Sequence, residues 1–219
     1  MTQLFLTRHG ETEWNVAGRI QGQQNSSLSA RGRAQAHKLA HRLAAIPLQA
    51  IYASDLTRAM ETAQIVADLH GLPVRPLPGL RERSYGAWEG LTPDEVEAAD
   101  YEYWYRYYIT REFDAPVPGG ENWAQVRVRM GAARDQARAD FPGLGDKVLL
   151  VGHGASMRTL IADALDAPLL MLRHFHLENT SLSRLDYRPD HPARVVLVND
   201  TSHLDADTAL DTSHLEPGQ

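Results

Sequence analysis

The feature that most constrains this chain is a repeated alternation of short apolar runs with longer stretches of helical period. Leu4-Phe5-Leu6, Ile51-Tyr52-Ala53 and Lys147–Val151 each read as a buried strand, the last being the clearest. After the first, Ser29 can cap a helix whose Ala36, Leu39, Ala40, Leu43 and Ala44 share one face until Pro47 ends it. A helix over about Leu56–Leu69 follows the second strand and stops at Gly71 and Pro73. A long helix over about Asn122–Asp140 precedes the Lys147 strand, and Ala155–Leu165 reads as a helix after it. Val74–Leu77 reads as a further strand that Pro76 makes an edge or irregular one. Ser181–Tyr187 and Arg194–Val198, joined by Pro189-Asp190-His191-Pro192, read as a hairpin. The rhythm predicts an α/β fold of three layers, a mostly parallel central sheet with helices on both faces. With 219 residues, 43% of them hydrophobic, the chain can supply one full core, expected over residues 1–200.

The segment from Arg83 to Asn122 breaks that rhythm. Thr92-Pro93-Asp94-Glu95 is a helix start with a cap, a first-turn proline and a Glu three residues after the Thr. It leads into the aromatic run Tyr101–Tyr108 and then Pro116, Pro118, Gly119 and Gly120, so a small helical lid insertion is expected over about 83–122. Two readings of the run stand side by side. It lines a pocket and selects an organic leaving group, or Tyr101, Trp104, Tyr105 and Tyr108 form one helix face against the core or the second subunit of a homodimer. From Asp200 onward there are acidic residues and no Lys or Arg, which predicts a solvated acidic tail over 201–219. Its partial calcium-loop spacing fails, because Leu210 stands where the turn glycine is required and Ala209 where a ligand should be. The repeat of Asp-Thr-Ser-His-Leu at 200–204 and 211–215 has no physical account.

Composition removes several classes of chemistry. No cysteine means no disulfide, no thiolate zinc site and no thiolate nucleophile. A net charge of −6 argues against a nucleic-acid partner. The N-terminus has no basic region followed by a long apolar stretch, and no apolar run approaches a bilayer span, so a cytoplasmic protein with no membrane partner is expected.

In parallel α/β sheets ligands bind beyond the carboxyl ends of strands. That rule selects Arg8-His9-Gly10 after the first strand, Ser54-Asp55 and the nearby Arg58 after the second, and Gly152-His153-Gly154 after the Lys147 strand. Leu80-Arg81-Glu82-Arg83 adds a carboxyl group bracketed by arginines. Each has a plainer reading. Arg8 and Arg58 can simply pair with Glu13, Asp55 or Glu61, and Glu82 with its flanking arginines. The other eight histidines, His174 and His176 included, read as structural or exposed.

Together these segments resemble the histidine phosphatase superfamily, also called the phosphoglycerate mutase-like family, over most of residues 4–200. The resemblance rests on Leu6-Thr7-Arg8-His9-Gly10-Glu11-Thr12-Glu13-Trp14-Asn15, Gly18-Arg19-Ile20-Gln21-Gly22 and Leu28-Ser29-Ala30-Arg31-Gly32. Ser54-Asp55-Leu56-Thr57-Arg58-Ala59 with Thr62-Ala63, Glu82-Arg83-Ser84-Tyr85-Gly86 and Val151-Gly152-His153-Gly154 complete it. It implies His9 as the nucleophile, forming a phosphohistidine, with Arg8, Arg58 and a protonated His153 holding the phosphoryl oxygens. It further implies Glu82 as the acid and then the base, and Asn15, Gln21, Gly22 and Gly154 as substrate-binding positions. Neither metal nor cofactor is expected, since Arg and imidazolium supply the positive charge. Asn25-Ser26-Ser27-Leu28 departs from the acidic residue and proline found in many relatives.

The expected activity is hydrolysis of a small phosphorylated metabolite. Mutases of the family carry a longer insertion with cations for a carboxylate, whereas here Arg106 and Arg111 are the only cationic residues between Arg83 and Asn122. The alternatives are a cofactor-dependent phosphoglycerate mutase and a non-catalytic module that binds a phospho-ligand, which loss of His9, Arg58 or His153 would have signalled.

Overall fold

Alternate residues of a strand face opposite sides of its sheet, and that parity sorts the core into two layers. In the computed structural model, which describes residues 2–110, 112 and 117–205, six strands form one sheet. They are β1 (Thr2–Arg8), β2 (Ala50–Ala53), β3 (Val74–Pro76), β4 (Lys147–Gly152), β5 (Leu182–Tyr187) and β6 (Arg194–Asp200), in the order β3-β2-β4-β1-β5-β6. β1 to β4 run parallel, and β5 is antiparallel to both β1 and β6, so the sheet is mixed, with the hairpin on one side. Leu4, Leu6, Val148 and Leu150 face one layer, built from α6 (Trp123–Asp140) and α7 (Gly154–Ala164). Phe5, Ile51, Leu149 and Val151 face the other, built from α2 (Ala30–Leu43) and α3 (Thr57–His70). The three-layer α/β expectation is borne out.

Helix starts follow local chemistry. Ser29 caps α2 by accepting from the Gly32 N–H at 3.0 Å, and Asn122 and Gln125 form a reciprocal capping box on α6. The start of α3 is capped from a distance, since Asn25 Oδ1 accepts from both the N–H and the hydroxyl of Thr57, at 3.0 and 3.1 Å. That gives the departure at Asn25 a structural task. A four-residue helix not anticipated from periodicity, α1 (Glu13–Val16), is set by a capping box between Thr12 and Asn15.

Between β3 and α6 lie the lid helices α4 (Pro93–Ala99) and α5 (Tyr101–Trp104), continued by a π-helical turn over Tyr105–Ile109. They pack on a small aromatic core around Trp88, Val96 and Val117. The lid is broken at Asp100, whose backbone leaves the helical region at φ −152° and whose carboxylate caps Tyr103. Tyr101, Trp104, Tyr105 and Tyr108 do share a face through ring contacts, but Tyr101 and Tyr105 stay 60% and 42% exposed, so that face is not packed on the core of this chain. Of the acidic tail, Thr201–Asp205 still pack on the domain, with His203 buried and Lys38 donating to the Leu204 carbonyl at 3.1 Å. Residues 206–219, with the second Asp-Thr-Ser-His-Leu and most of the partial calcium spacing, lie outside the described residues. Among the described residues no helix is long and apolar enough to cross a membrane.

Candidate active site

Register alone brings the two histidines together. Arg8 and Gly152 are partners at the parallel ends of β1 and β4, so His9 and His153, the next residues, leave the sheet side by side. The His9 N–H donates to the Gly152 carbonyl at 2.9 Å, and the ring centroids lie 5.1 Å apart with planes at 62°. Both rings are buried. β2 lies on the other side of β4, and its continuation carries Arg58 into the first turn of α3.

The Gly10 backbone is fixed by closeness. A Cβ there would lie 2.4 Å from the Gly32 carbonyl oxygen, so the loop after β1 can press on the start of α2 only as glycine. The Gly10 N–H donates to the Thr62 hydroxyl on α3, and Asn179 donates to the His9 carbonyl at 2.9 Å. Gly22 combines a left-handed φ of +52° with a position where any Cβ would strike the Glu89 carboxylate.

Hydrogen bonds define the protonation of both rings. His9 Nδ1 lies 2.7 Å from the Gly10 carbonyl oxygen, an acceptor only, so Nδ1 carries the proton and Nε2 keeps its lone pair. Arg58 Nε donates to His153 Nδ1 at 3.1 Å. A guanidinium N–H cannot accept, so His153 Nδ1 holds a lone pair and the ring proton sits on Nε2. Burial first, and then the charge of Arg58, hold both imidazoles well below their usual value. The geometry and the burial therefore favour a neutral His153 ring that presents Nε2–H, in place of the protonated ring that the resemblance implies.

The arginines remain charged. Burial brings Arg58 down to about 10, which leaves it cationic at neutral pH. Neither Arg8 nor Arg58 adopts the carboxylate pairing of the plainer reading. Arg8 Nη1 donates to the Leu177 carbonyl at 2.8 Å, and Arg58 donates to the carbonyls of Gln24 and Gly22 at 2.6 and 2.7 Å. Asp55 and Glu61 are taken by Arg81 and Arg33. Carbonyls orient a guanidinium without neutralising it, so the charge stays available to an anion.

Glu82 is likewise no mere ion-pair member. Its carboxyl accepts from the N–H groups of Arg83, Ala155 and Ser156 at 2.8, 3.0 and 3.0 Å, which ties it to the N-terminus of α7. Arg129 anchors this turn from α6, donating to the carbonyls of Gly79, Arg81 and Glu82 while pairing with Glu121. Arg83 turns into the lid, fully buried among the rings of Tyr85, Tyr107 and Trp123 at 5.1, 5.3 and 4.8 Å.

A cavity of about 370 Å³ opens at this site. Arg8, His9, Asn15, Gln21, Gly22, Arg58, Glu82 and Gly154 line it, and His153 packs against the His9 ring and Arg58. Asn15 Oδ1 is engaged by Thr12, which leaves its amide N–H groups for the cavity. Arg8 Nε and His153 Nε2 are buried with no protein partner, two donors that an anion with several oxygens would meet. Tyr107 and Tyr108 from the aromatic run line the far wall with Tyr85. Burial holds the phenols of Tyr85 and Tyr108 in the neutral form, the latter raised to about 12.

Several residues of the site carried no recognised signal. Asn179 lies in a loop whose approach to β1 is purely tertiary. Arg158 also lines the cavity, one helical turn after Gly154 on α7, a spacing that could have been read. His176, read as structural or exposed, stands at the mouth paired with Glu178 at 3.0 Å. Among the described residues no cluster of three or more His, Asp or Glu could hold a metal ion.

Comparison with known proteins agrees with this geometry. The family model of the histidine phosphatase superfamily (branch 1) matches residues 4–201. A Yersinia enterocolitica protein named probable phosphoglycerate mutase GpmB is 40% identical over 214 residues, covering 94% of this chain and 96% of its own. Among solved structures, Bacillus stearothermophilus YhfR is similar at a TM-score of 0.84 and 35% identity, covering 93% of this chain and 100% of its own. A mycobacterial glucosyl-3-phosphoglycerate phosphatase in complex with VO3 is similar at 0.83 and 31%, covering 91% and 99%. The chain is an enzyme of the histidine phosphatase superfamily.

Proposed function

We propose that this enzyme hydrolyses phosphomonoesters of small metabolites through a phosphohistidine on His9. The observation that carries the reading is the neutral His9 ring, with Nδ1–H tied to the Gly10 carbonyl and a lone pair on Nε2. In the first step Nε2 bonds to phosphorus as the bond to the leaving oxygen breaks, and that oxygen takes a proton from Glu82. In the second, Glu82 removes a proton from water, whose oxygen bonds to phosphorus as the P–N bond breaks and inorganic phosphate forms. Arg8 and Arg58 act as fixed positive charges on the phosphoryl oxygens, joined by the Nε2–H of His153. Asn15, Gln21, Gly22 and Gly154 complete the cradle, and the tyrosine wall meets the leaving group.

The name borne by the curated relatives favours a second reading, phosphoglycerate mutase. Against it stands the lid. Arg106 is spent on Glu112 at 2.7 Å outside the cavity, Arg83 is enclosed in aromatic rings, and Arg111 lies outside the described residues. Release of p-nitrophenol from p-nitrophenyl phosphate by the wild type but not by His9→Ala is the expected result. Conversion of 3-phosphoglycerate to 2-phosphoglycerate with a bisphosphate primer, faster than phosphate release, would instead favour the mutase.

A further inference from the structure

Asn179 has no part in the scheme above, yet it reaches the backbone of the nucleophile. From the loop before β5 its Nδ2 donates to the His9 carbonyl at 2.9 Å. The Gly10 N–H donates to the Thr62 hydroxyl of α3 at 3.0 Å. That carbonyl and that N–H are the two poles of one peptide unit, and in a trans peptide they point in opposite directions. The His9–Gly10 unit is therefore held between two side chains from elements far apart in sequence.

Both grips are themselves fixed. The Thr62 hydroxyl gives its proton to the Arg58 carbonyl at 2.8 Å, which leaves its lone pairs for the Gly10 N–H. Asn179 sits in a turn where the Ser181 N–H donates to the Glu178 carbonyl, and the Glu178 N–H donates to Asn199 Oδ1 at 2.8 Å. Next in the turn is Thr180, whose N–H donates to the Arg8 carbonyl at 2.9 Å and whose φ of +57° is left-handed. A β-branched residue keeps that conformation only where its surroundings enforce it.

What the two grips control is the next carbonyl along the chain. Gly10 has no Cβ, so the peptide planes on its two sides turn readily unless they are bonded. The Gly10 carbonyl is the acceptor, at 2.7 Å, that keeps the His9 proton on Nδ1. Rotation of the His9–Gly10 unit would carry this acceptor away from the ring. An imidazole protonated on Nε2 instead has no lone pair there to offer to phosphorus. We infer that Asn179 and Thr62 are positioning residues that grip the His9–Gly10 peptide at both poles and so hold the His9 ring in its nucleophilic tautomer. The inference rests on the reading of His9 as the nucleophile.

The test uses Asn179→Ala and Thr62→Val, which each remove one grip, and Thr62→Ser, which keeps the hydroxyl. Enzyme carrying histidine labelled at both ring nitrogens is measured by heteronuclear NMR at about pH 8, where unperturbed imidazole is neutral. The His9 signals are those missing from His9→Ala. In the wild type the His9 proton should sit on Nδ1. In Asn179→Ala and Thr62→Val a population protonated on Nε2 should appear, and kcat on p-nitrophenyl phosphate should fall about 10- to 100-fold. The Kd for inorganic phosphate should stay within about threefold, because Arg8 and Arg58 keep their places. Thr62→Ser should restore the wild-type tautomer and most of kcat. Variants that melt like the wild type and keep its tautomer would overturn the inference, whatever their activity. Should Thr62→Val fail to fold, Asn179→Ala alone decides. Should the wild type release no p-nitrophenol, the phosphatase reading fails, while the tautomer measurement still decides this inference.

Discussion

Glu82 is the residue whose role is most open to experiment. A proton donor matters in proportion to the basicity of the leaving oxygen, so Glu82→Gln should cost about 10²–10⁴-fold on an alkyl phosphate. On p-nitrophenyl phosphate, whose leaving group departs unaided, the loss should be far smaller. Equal losses on both would mean that Glu82 serves only to tie its turn to the N-terminus of α7. The strand-end histidines were legible in the sequence because β1 and β4 each announce their ends. The state of His153 was not, since nothing in Gly152-His153-Gly154 reveals that Arg58 reaches Nδ1 from another helix. Asn179 escaped for the same reason: what gives it a role is the His9 carbonyl, far along the chain.

The strands and capped helices were readable because their causes are local: apolar parity in β1 and β4, and hydroxyl or amide caps at Ser29, Thr92 and Asn122. The lid was readable only in outline. Its break at Asp100 depends on one carboxylate choosing to cap Tyr103, and α1 is too short to show a period. The loop after β1 carries the tightest packing demand. Gly10→Ala should destabilise the protein by about 3 kcal/mol in urea unfolding, because its methyl group meets the backbone of Gly32 at 2.4 Å. Gly154→Ala, where the nearest atom is Arg8 Nε at 3.6 Å, should cost less than about 1 kcal/mol. Similar losses at the two positions would contradict the close approach of β1 to α2.

The buried, neutral imidazoles set how the whole molecule responds to acid. Their folded values lie below the unfolded one, about 6.5, so the unfolded chain binds more protons once the pH drops under that point. Stability should therefore be full above about pH 6.5 and fall as the pH is lowered toward the folded values. Urea midpoints from pH 7 to pH 5 should show the decline, and His153→Asn should flatten it. The cavity's uncompensated arginines predict the converse response to anions. Inorganic phosphate at a hundred times its Kd should add about 2.7 kcal/mol of stability, read as a rise in Tm, and Arg58→Met should lose most of that gain. The claim on which all of this depends is covalent. Rapid alkaline quench of the enzyme during turnover, followed by peptide mass analysis, should find one acid-labile phosphoryl group on His9 in the wild type. Hydrolysis proceeding with no phosphoryl group on that residue, or with the group on another, would contradict the account.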